Sequence, residues 1–404
     1  MITFLLAFLL SAEATPKSFF EDIENFKTQN LNLKTEKQNQ VASSDLLLSR
    51  KLFWTPKLGL SVSQNQNKLN NAIVTDGNEI QADLTWNLYR GGADWNSLQD
   101  AKAQNKAQDL QVLNESLRVE IKASDLIFKS LFLAGSLRVE EQLLKLKEES
   151  LKIVIDRYHQ GKIPRQEVTK SEVDLVQQKN KLRLAKLDVI ENKSQIASLF
   201  IHEIKTQSWP FAEKTVARIQ SAPSKIPLIE QKYWLSQSRE QIWKAAKGSY
   251  WPSLDLSLQY KEFPLKERSN QQLLGFVTLT LPIWDQYETA AKVSSSYASY
   301  INALNDYKET EQTLNQKNLF LKEKIETSQL NLIDAKKNLE ISRKLYQDIL
   351  KSFRLGRIST NDLFIEQNRL LDSENTFARS ELNFHQSLIE VCALSGLNAS
   401  ECLR

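Results

Sequence analysis

Residues 353–363 read FRLGRISTNDL, and residues 158–168, which lie 195 positions upstream, read YHQGKIPRQEV. Each stretch predicts a sharp turn between two helices, because its glycine supplies the permissive backbone that ends the incoming helix. A polar run with Pro164, or with Ser359-Thr360-Asn361, then caps the outgoing helix. The same offset pairs Leu187 with Leu382. The sequence therefore predicts one structural unit written twice.

The composition is typical of extended helices. The 404 residues include only ten glycines and nine prolines, and the prolines avoid four long stretches rich in Ala, Leu, Lys, Glu and Gln. The 53 basic and 49 acidic residues are spread along the chain and give a formal charge of +4. No concentrated basic footprint results, so we expect no nucleic-acid partner.

The first fourteen residues predict a secretory signal peptide. An apolar run, residues 2–10, is followed by the small-x-small cleavage pattern of residues 12–14, although the segment before the run carries no Lys or Arg. No later window holds the roughly 18 apolar residues that a membrane helix needs. If the protein crosses a membrane, strands must do it.

Two segments alternate apolar and polar residues with a period of two, which predicts strands. Residues 57–63 place Leu58, Leu60 and Val62 on one face. Residues 80–89 resume the alternation after a polar loop, residues 64–78. Together they predict a β-hairpin, residues 57–89, with one apolar and one polar face.

The element order then repeats. The first repeat, 15–204, holds a helix at 17–52, the hairpin, a proline-free helix at 93–158, a tip at 159–166 and a return helix at 167–204. At a rise of 1.5 Å per residue the long helix spans about 100 Å. A linker, 205–227, leads to the second repeat, 228–404. Its elements are predicted as a helix at 228–248, a hairpin at 253–284, a long helix at 288–353, a tip at 354–361, a return helix at 362–394 and a C-terminal tail.

Aromatic residues gather in or beside the predicted strands, as an interfacial girdle in a membrane requires. An ordinary soluble sheet packed on one face is the competing interpretation, but it does not need tryptophan at the strand ends. We therefore predict a membrane girdle formed by Trp54, Trp86, Tyr89, Trp251, Tyr260 and Trp284.

Four strands cannot close a barrel, and each unpaired backbone group at an edge in lipid costs several kcal/mol. Partner chains must therefore supply the missing edges. The polar face of the hairpins, which includes Ser61, Asp83 and Asp255, suits water inside a barrel larger than eight strands. A ring of three or more copies is favoured, and three copies give 12 strands.

This arrangement resembles the TolC-like outer-membrane efflux family, on the two tip turns, the strand ends LYRGG (88–92) and LPIW (281–284), and the duplicated element order. The resemblance implies a mainly α fold with a small β part, in which a homotrimer forms a 12-stranded outer-membrane β-barrel continued by a periplasmic α-helical barrel. It implies a passive exit duct of a tripartite efflux or type I secretion system in a Gram-negative outer membrane. The implied partners are outer-membrane lipid, a periplasmic adaptor and an inner-membrane transporter.

The resemblance also implies functional residues at the tips. An acidic residue six positions after the second tip glycine lines the periplasmic aperture in that family, and here it is Asp362. The family's second carboxylate position holds Ile365, with Glu366 next to it, and Glu167 matches Asp362 in the first repeat. The predicted adaptor-docking residues are Gly161, Lys162, Ile163, Pro164, Gly356, Arg357, Ile358, Ser359 and Thr360. Candidates for ionic links between closed tips, or else simply solvated turn charges, are Lys162, Arg165, Arg354 and Arg357.

Signs of catalysis or of a cofactor are missing from the sequence. The three histidines are scattered without ligand spacing, and there is no P-loop, dinucleotide fingerprint or nucleophile elbow. Cys392 and Cys402 could close a small loop in an oxidising compartment or stay unpaired. A periplasmic coiled-coil scaffold, or an adaptor without a pore, is the alternative function, but the alternating hairpins argue against it.

Overall fold

The structure, a computed structural model, describes residues 16–69, 72–199, 204–212, 226–264 and 269–403. The predicted signal segment, 1–14, lies outside these ranges, as does most of the predicted linker. The elements in chain order are α1 (Pro16–Gln29), α2 (Leu31–Lys51), β1 (Lys57–Leu69), β2 (Ala72–Arg90), α3 (Ala93–His159), α4 (Arg165–Leu199), α5 (Pro227–Lys247), β3 (Ser253–Pro264), β4 (Ser269–Thr280), α6 (Glu288–Arg354), α7 (Thr360–Leu394) and α8 (Ala399–Cys402).

The duplication predicted from the sequence is confirmed, and it holds for helix length as well as for order. The long helices α3 and α6 both have 67 residues, and the return helices α4 and α7 both have 35. Each long helix follows a pair of strands, so the strand-strand-long helix-return helix order occurs twice. The chain is mainly helical with four antiparallel strands.

The predicted single helix at 17–52 is wrong, because the structure breaks it at Asn30. The Oδ1 atom of Asn30 accepts a hydrogen bond from the Leu33 amide at 3.0 Å. An asparagine that satisfies a free amide in the first turn is a helix N-cap, so it starts α2 as a separate helix. Helical periodicity on both sides of Asn30 hid this cap in the sequence.

Other boundaries also move. The predicted polar loop at 64–78 is mostly strand, since β1 continues to Leu69 and β2 begins at Ala72. Backbone ladders do not require apolar alternation, so the polar residues remain paired. The return helices begin at Arg165 and Thr360, two residues earlier than predicted in each repeat, and the described part of α4 ends at Leu199 rather than 204.

The four strands form one antiparallel sheet in the order β1-β2-β3-β4. Pairing of β2 with β3 joins the two hairpins, with Trp86 opposite Leu256 and Asp83 opposite Gln259. Directly opposite residues share a face, so the register separates the predicted apolar face from the polar one. Within the described residues, β1 and β4 are each paired on one side only.

The chain divides into two compact units. We call residues 35–112 and 228–313, which contain the sheet, the sheet unit. We call residues 1–34, 113–227 and 314–404, which contain both tip turns, the tip unit.

In the sheet unit, the glycine-rich junction after β2 packs against the end of α5. Gly91 has a φ of +58°, and a Cβ built there would lie 2.2 Å from the Gly248 carbonyl oxygen and 2.8 Å from the Trp251 Cβ. A side chain at this position would therefore clash with backbone that cannot move away easily. The first glycine of LYRGG is therefore required by the close approach of the two repeats at Gly91 and Gly248.

In the tip unit, α6 and α7 form an antiparallel helix pair. Buried positions on α6 alternate at spacings of four and three, which is the coiled-coil period. Two hydroxyl pairs cross the seam, Ser342 with Ser373 at 2.8 Å and Ser328 with Ser387 at 3.1 Å. The small serine side chains let the backbones of α6 and α7 come close together. The buried positions are Leu321, Ile325, Ser328, Leu332, Ala335, Leu339, Ser342 and Tyr346.

A short segment, residues 204–212, is held in the tip unit by α1 and α7. The carboxylate of Asp22 accepts hydrogen bonds from the amides of Lys205 and Thr206 at 3.0 Å each. The ring of His385, which is buried, lies 3.2 Å from the Phe211 carbonyl oxygen and has its centroid 4.6 Å from that of Trp209. Burial lowers the pKa of His385 to about 4, so the imidazole is neutral at pH 7.

The C-terminal tail is tied to the same unit. Cys392 and Cys402 form a disulfide, which decides between the two alternatives left open by the sequence. The bridge holds α8, whose first amide, that of Ala399, donates to the carboxylate of Glu120. Lys27 pairs with this carboxylate at 2.5 Å, and both side chains are buried.

We expect Glu381→Gln to stabilise the protein at alkaline pH. Burial raises the pKa of Glu381 from 4.5 to about 7. The charge of Lys336 and a hydrogen bond from Trp209 lower this pKa, but their effect is smaller than that of burial. The native state therefore binds more protons than the unfolded state between these values, and stability falls as pH rises through this window. The variant should match the wild type near pH 4 and exceed it by on the order of 2–3 kcal/mol at pH 8 in denaturation experiments.

Glu326→Gln is the matched control, because Glu326 is an exposed glutamate on α6. It should change stability little at any pH. A Glu381→Gln gain that is the same at pH 4 and pH 8 would contradict the titration argument.

Candidate functional site

The two predicted tips are built by the same backbone geometry. Gly161 has a φ of +69° and Gly356 a φ of +76°, the left-handed region that glycine tolerates best. In both tips the residue after the glycine donates its amide hydrogen to a carbonyl five residues earlier at 3.0 Å, from Lys162 to Arg157 and from Arg357 to Ser352. This bond, with the one from the glycine amide, defines the Schellman motif.

The second tip starts its outgoing helix with a capping box. The Asp362 amide donates to Ser359 Oγ at 3.2 Å, while Asp362 Oδ2 accepts from the Ser359 amide at 3.3 Å and from its hydroxyl at 2.7 Å. Both groups satisfy amides that the first helical turn leaves free. The predicted aperture residue is thus held in position by the helix start.

A small apolar core fixes the two tips to each other. Val154, Tyr346, Phe353 and Leu363 are buried in it, and they come from α3, α6 and α7. Ile163 and Ile358, the residues two positions after each tip glycine, pack against this cluster. Each tip therefore turns its isoleucine inward, toward the shared core.

Arg157 bridges the two repeats inside the tip unit. Its guanidinium lies 4.1 Å from the centroid of the buried Phe353 ring and donates a hydrogen bond to the Phe353 carbonyl oxygen. A cation at the C-terminal end of a helix also interacts favourably with the helix dipole. Sequence reasoning missed this contact, although an arginine in the last turn of a helix is a recognisable capping signal.

The predicted aperture residues occupy different environments. Asp362 is exposed and Glu366 lies one turn later on the same face of α7. The side chain of Glu366 is only 13% exposed and pairs with Arg369 at 2.7 Å. Glu167 is half-buried on α4, and it lines the cleft between the tips.

The cleft between the two tips has a volume of about 320 Å³. Arg157, Lys162 and Glu167 contribute charges from the first repeat, and Ser359 and Asn361 contribute polar groups from the second. A charged, polar cleft with both signs suits a polypeptide partner whose side chains carry matching charges.

The predicted docking residues divide into two groups. Ile163 and Ile358 are half-buried against the tip core and Thr360 is buried, so these three contribute structure. The other predicted docking residues are exposed: Gly161, Lys162, Pro164, Gly356, Arg357 and Ser359. Leu355, which sequence reasoning did not select, is 67% exposed beside Gly356 and adds an apolar contact at the same place.

The candidates for ionic links between tips were Lys162, Arg165, Arg354 and Arg357. None of these four side chains forms an ion pair with another residue in the described part of the chain. Within the chain, Arg157 makes a contact between the two repeats, and the predicted links between closed tips stay a prediction.

The predicted girdle residues lie where the sheet meets the helices, except for Tyr260. Trp54, Trp251, Trp284 and Tyr89 are exposed, and the Trp86 indole donates to the Trp54 carbonyl oxygen at 2.7 Å. Tyr260 pairs with Ala82 on the apolar face, nearer the other end of β3. The apolar face itself is exposed, with Leu58 at 79% and Val277 at 70%.

In the described ranges, no helix combines the length and apolar character needed to cross a membrane. The same ranges hold no group of three or more His, Cys, Asp or Glu side chains placed to bind a metal.

Comparison with known proteins gives the fold. No protein-family model and no curated protein matches the chain. Among solved structures, the chain is similar to the CmeC outer membrane channel of Campylobacter jejuni, with a TM-score of 0.79 and 15% identity over 95% of this chain and 87% of that one. It is similar to the outer membrane protein VceC of Vibrio cholerae, with a TM-score of 0.82 and 11% identity over 95% and 97% of the two chains.

A third similar structure is the MtrE outer membrane channel of Neisseria gonorrhoeae in its open state, with a TM-score of 0.77 and 13% identity over 94% of this chain and 89% of that one. These likenesses extend over nearly the whole described chain. They show that it has the TolC-like fold.

We expect Arg157→Ala to loosen both tips together. The variant loses the stacking on Phe353 and a charged hydrogen bond, which together are worth about 2–3 kcal/mol. Hydrogen exchange measured by mass spectrometry should become about 30-fold to 160-fold faster in residues 157–163 and in 353–358.

Arg354→Ala is the control, because Arg354 is exposed at the end of α6. It should leave exchange in the first tip unchanged. Faster exchange in the first tip alone for Arg157→Ala would contradict a coupling role.

Proposed function

We propose, from the TolC-like fold of this chain, that it assembles as a homotrimer into an outer-membrane channel. The observation that carries this proposal is a four-stranded sheet with two open edges, β1 and β4, and an exposed apolar face. Four strands from each of three copies give a 12-stranded barrel in which β4 of one copy pairs with β1 of the next. Closure leaves no edge group unpaired in lipid.

The two faces of the sheet support a water-filled pore. The apolar face carries Leu58, Leu60 and Val62 on β1 and continues across the sheet by register. The opposite face carries Gln81, Asp83 and other polar residues. Transmembrane barrels place apolar side chains toward lipid and polar ones toward the lumen in this alternation.

The channel is a passive conduit. Its long helices form the periplasmic α-helical barrel, and its tips receive a periplasmic adaptor that connects it to an inner-membrane transporter for efflux or type I secretion. CmeC, VceC and MtrE are outer membrane proteins or channels of the same fold. A periplasmic scaffold or adaptor without a pore would leave the apolar face of the sheet in water, which is unfavourable by about 25 cal/mol for each Å².

The exposed tip residues are the docking surface for the adaptor. This proposal is supported by the charged cleft between the tips and by the exposed side chain of Leu355.

A photo-crosslinking amino acid at Lys162 or Arg357 should trap an adaptor in cells. The same probe at Lys193, an exposed position on α4, should not. Equal trapping at all three positions would remove the docking role.

Asp362 forms an anionic ring at the periplasmic aperture, where three copies bring three carboxylates to the tips. The capping box holds the Asp362 carboxylate at the start of α7, and fixed carboxylates in a pore retain cations. Glu366 is paired with Arg369, so it contributes less charge than Asp362. Glu167 adds a carboxylate from the first repeat.

Planar-bilayer recording tests both the pore and the ring. We expect the purified protein to migrate as a heat-modifiable trimer and to form ion-conducting channels blocked by hexaamminecobalt(III). Asp362→Ala should weaken this block about tenfold or more, because it removes the carboxylates that hold the trivalent cation.

Ser359→Ala is the matched control. It removes the other half of the capping box at a cost of about 1 kcal/mol but keeps the carboxylate, so the block should persist. A dispersed, non-conducting monomer would overturn the channel itself. Conducting channels with an unchanged block in Asp362→Ala would overturn only the ring.

A further inference from the structure

Two helices of the tip unit each carry a stripe of apolar side chains that the chain leaves exposed. The stripe residues are 50–62% exposed on α4 and 37–56% exposed on α6. Single exposed apolar residues are normal, but residues aligned along a helix mark an interaction surface. The α4 stripe consists of Val173, Val176, Leu184, Leu187 and Ile190, and the α6 stripe consists of Leu330, Ile333, Ile341 and Leu345.

Each stripe lies opposite the face that its helix already buries. Leu187 follows the buried Gln178 by about two and a half helical turns, so the two side chains point in opposite directions. The amide of Gln178 donates to the Glu140 carbonyl oxygen of α3 at 3.2 Å. Ile341 has the same relation to Leu332, which is buried on the face of α6 that meets α7. A helix with apolar residues on two opposite faces needs a neighbour on each side.

Both stripes are interrupted at the same height above the tips. Each divides into a lower group and an upper group, and a gap of about 12 Å separates the groups on either helix. From the tip end of each helix, the lower groups span about 12–20 Å and the upper groups about 28–38 Å. The tip ends are level, because Ile163 and Ile358 pack on one core. The lower groups are Val173 with Val176 on α4 and Ile341 with Leu345 on α6, and the other stripe residues form the upper groups.

Charged side chains fill the two gaps and can pair across them. The exposed charged residues of the α4 gap are all cations: Lys179, Lys181 and Arg183. Those of the α6 gap are Asp334, Lys336, Lys337 and Glu340. Lys336 lies near Glu381 of α7, which leaves two acids and one cation at this height. The α6 gap therefore offers carboxylates where the α4 gap offers only cations.

We propose that the α4 stripe of one copy packs against the α6 stripe of the next copy, and that this seam, repeated three times, joins the helices of the trimer. The inference rests on the proposed function and names the surfaces through which its copies meet. Two different surfaces that fit each other give a head-to-tail contact, and such contacts generate rings. A second copy is the occupant that fits, because each stripe matches the other in the heights of its groups and in its gap.

Cysteine crosslinking of the purified protein, without an adaptor, tests the seam. Leu187→Cys with Ile333→Cys, and separately Val176→Cys with Ile341→Cys, place two thiols at heights that differ by at most about 3 Å. A disulfide needs Cβ atoms within about 4.5 Å of each other, so oxidation with copper phenanthroline should convert both double variants to covalent trimers on non-reducing gels. Cysteine is a small apolar side chain, so both variants should still assemble before oxidation.

The swapped pairs are the matched control. Leu187→Cys with Ile341→Cys, and Val176→Cys with Ile333→Cys, use the same four positions at heights that differ by about 14 Å. They should give at least about tenfold less covalent trimer, because the thiols cannot meet without movement of the backbone. The native cysteines do not interfere, since they are paired with each other.

Two outcomes would overturn the seam while the channel stands. One is equal crosslinking by the matched and the swapped pairs. The other is no crosslinking by the matched pairs in a protein that conducts and migrates as a heat-modifiable trimer. Crosslinks that form only to an added adaptor would assign the stripes to that partner and overturn the seam as well. A wild-type protein that stays a non-conducting monomer would instead overturn the proposed function.

Discussion

Backbone amides and carbonyls at the two edges of the sheet are the constraint on which the rest of the structure depends. β1 and β4 each pair on one side within the described chain, so each carries a row of groups without a partner. In water these groups are hydrated, but in lipid each costs several kcal/mol. The exposed apolar face favours lipid and the open edges oppose it. In the proposed channel, closure with identical copies satisfies both requirements, because it pairs the open edges while the apolar face stays in lipid.

The tips differ from the sheet, because their hydrogen bonds and their apolar core are all supplied by one chain. The Schellman bonds satisfy the last carbonyls of α3 and α6, the capping box satisfies the first amides of α7, and the isoleucines close a shared core. Arg157 then joins the first repeat to the Phe353 carbonyl of the second. Each chain therefore presents its two tips as one preorganised surface, and preorganisation would lower the entropy cost of the proposed docking.

The sequence was sufficient for features that depend on period and on local chemistry. Alternation of two identified the strands, proline-free stretches identified the long helices, and Gly161 and Gly356 located the turns to within two residues. It was insufficient where a contact joins residues far apart, as between Arg157 and Phe353, or where one side chain interrupts a continuing pattern, as at Asn30. The pairing of Cys392 with Cys402 also required three-dimensional proximity. Apolar residues stand at consecutive positions 273 and 274 and again at 276 and 277, so only the register assigned Leu274 and Phe276 to a face.

The two repeats keep their helix lengths and change the side chains between the helices. Ser342 and Ser373 touch across the second repeat, while the positions 195 residues earlier hold Lys147 and Gln178, which line a polar cleft of about 280 Å³. Burial lowers the pKa of Lys147, which shows that the first repeat pays a desolvation cost for a partly buried charge. The uncharged hydroxyl pair of the second repeat has no such cost. Lengths of 67 and 35 residues nevertheless recur without change. In the proposed channel, a helical barrel built from both repeats needs walls of equal height, whereas the packing inside each wall needs only to be internally consistent. The two repeats thus keep the same helix lengths with different side chains between the helices, and the whole chain likewise shares its fold with CmeC and VceC at identities of 15% and 11%.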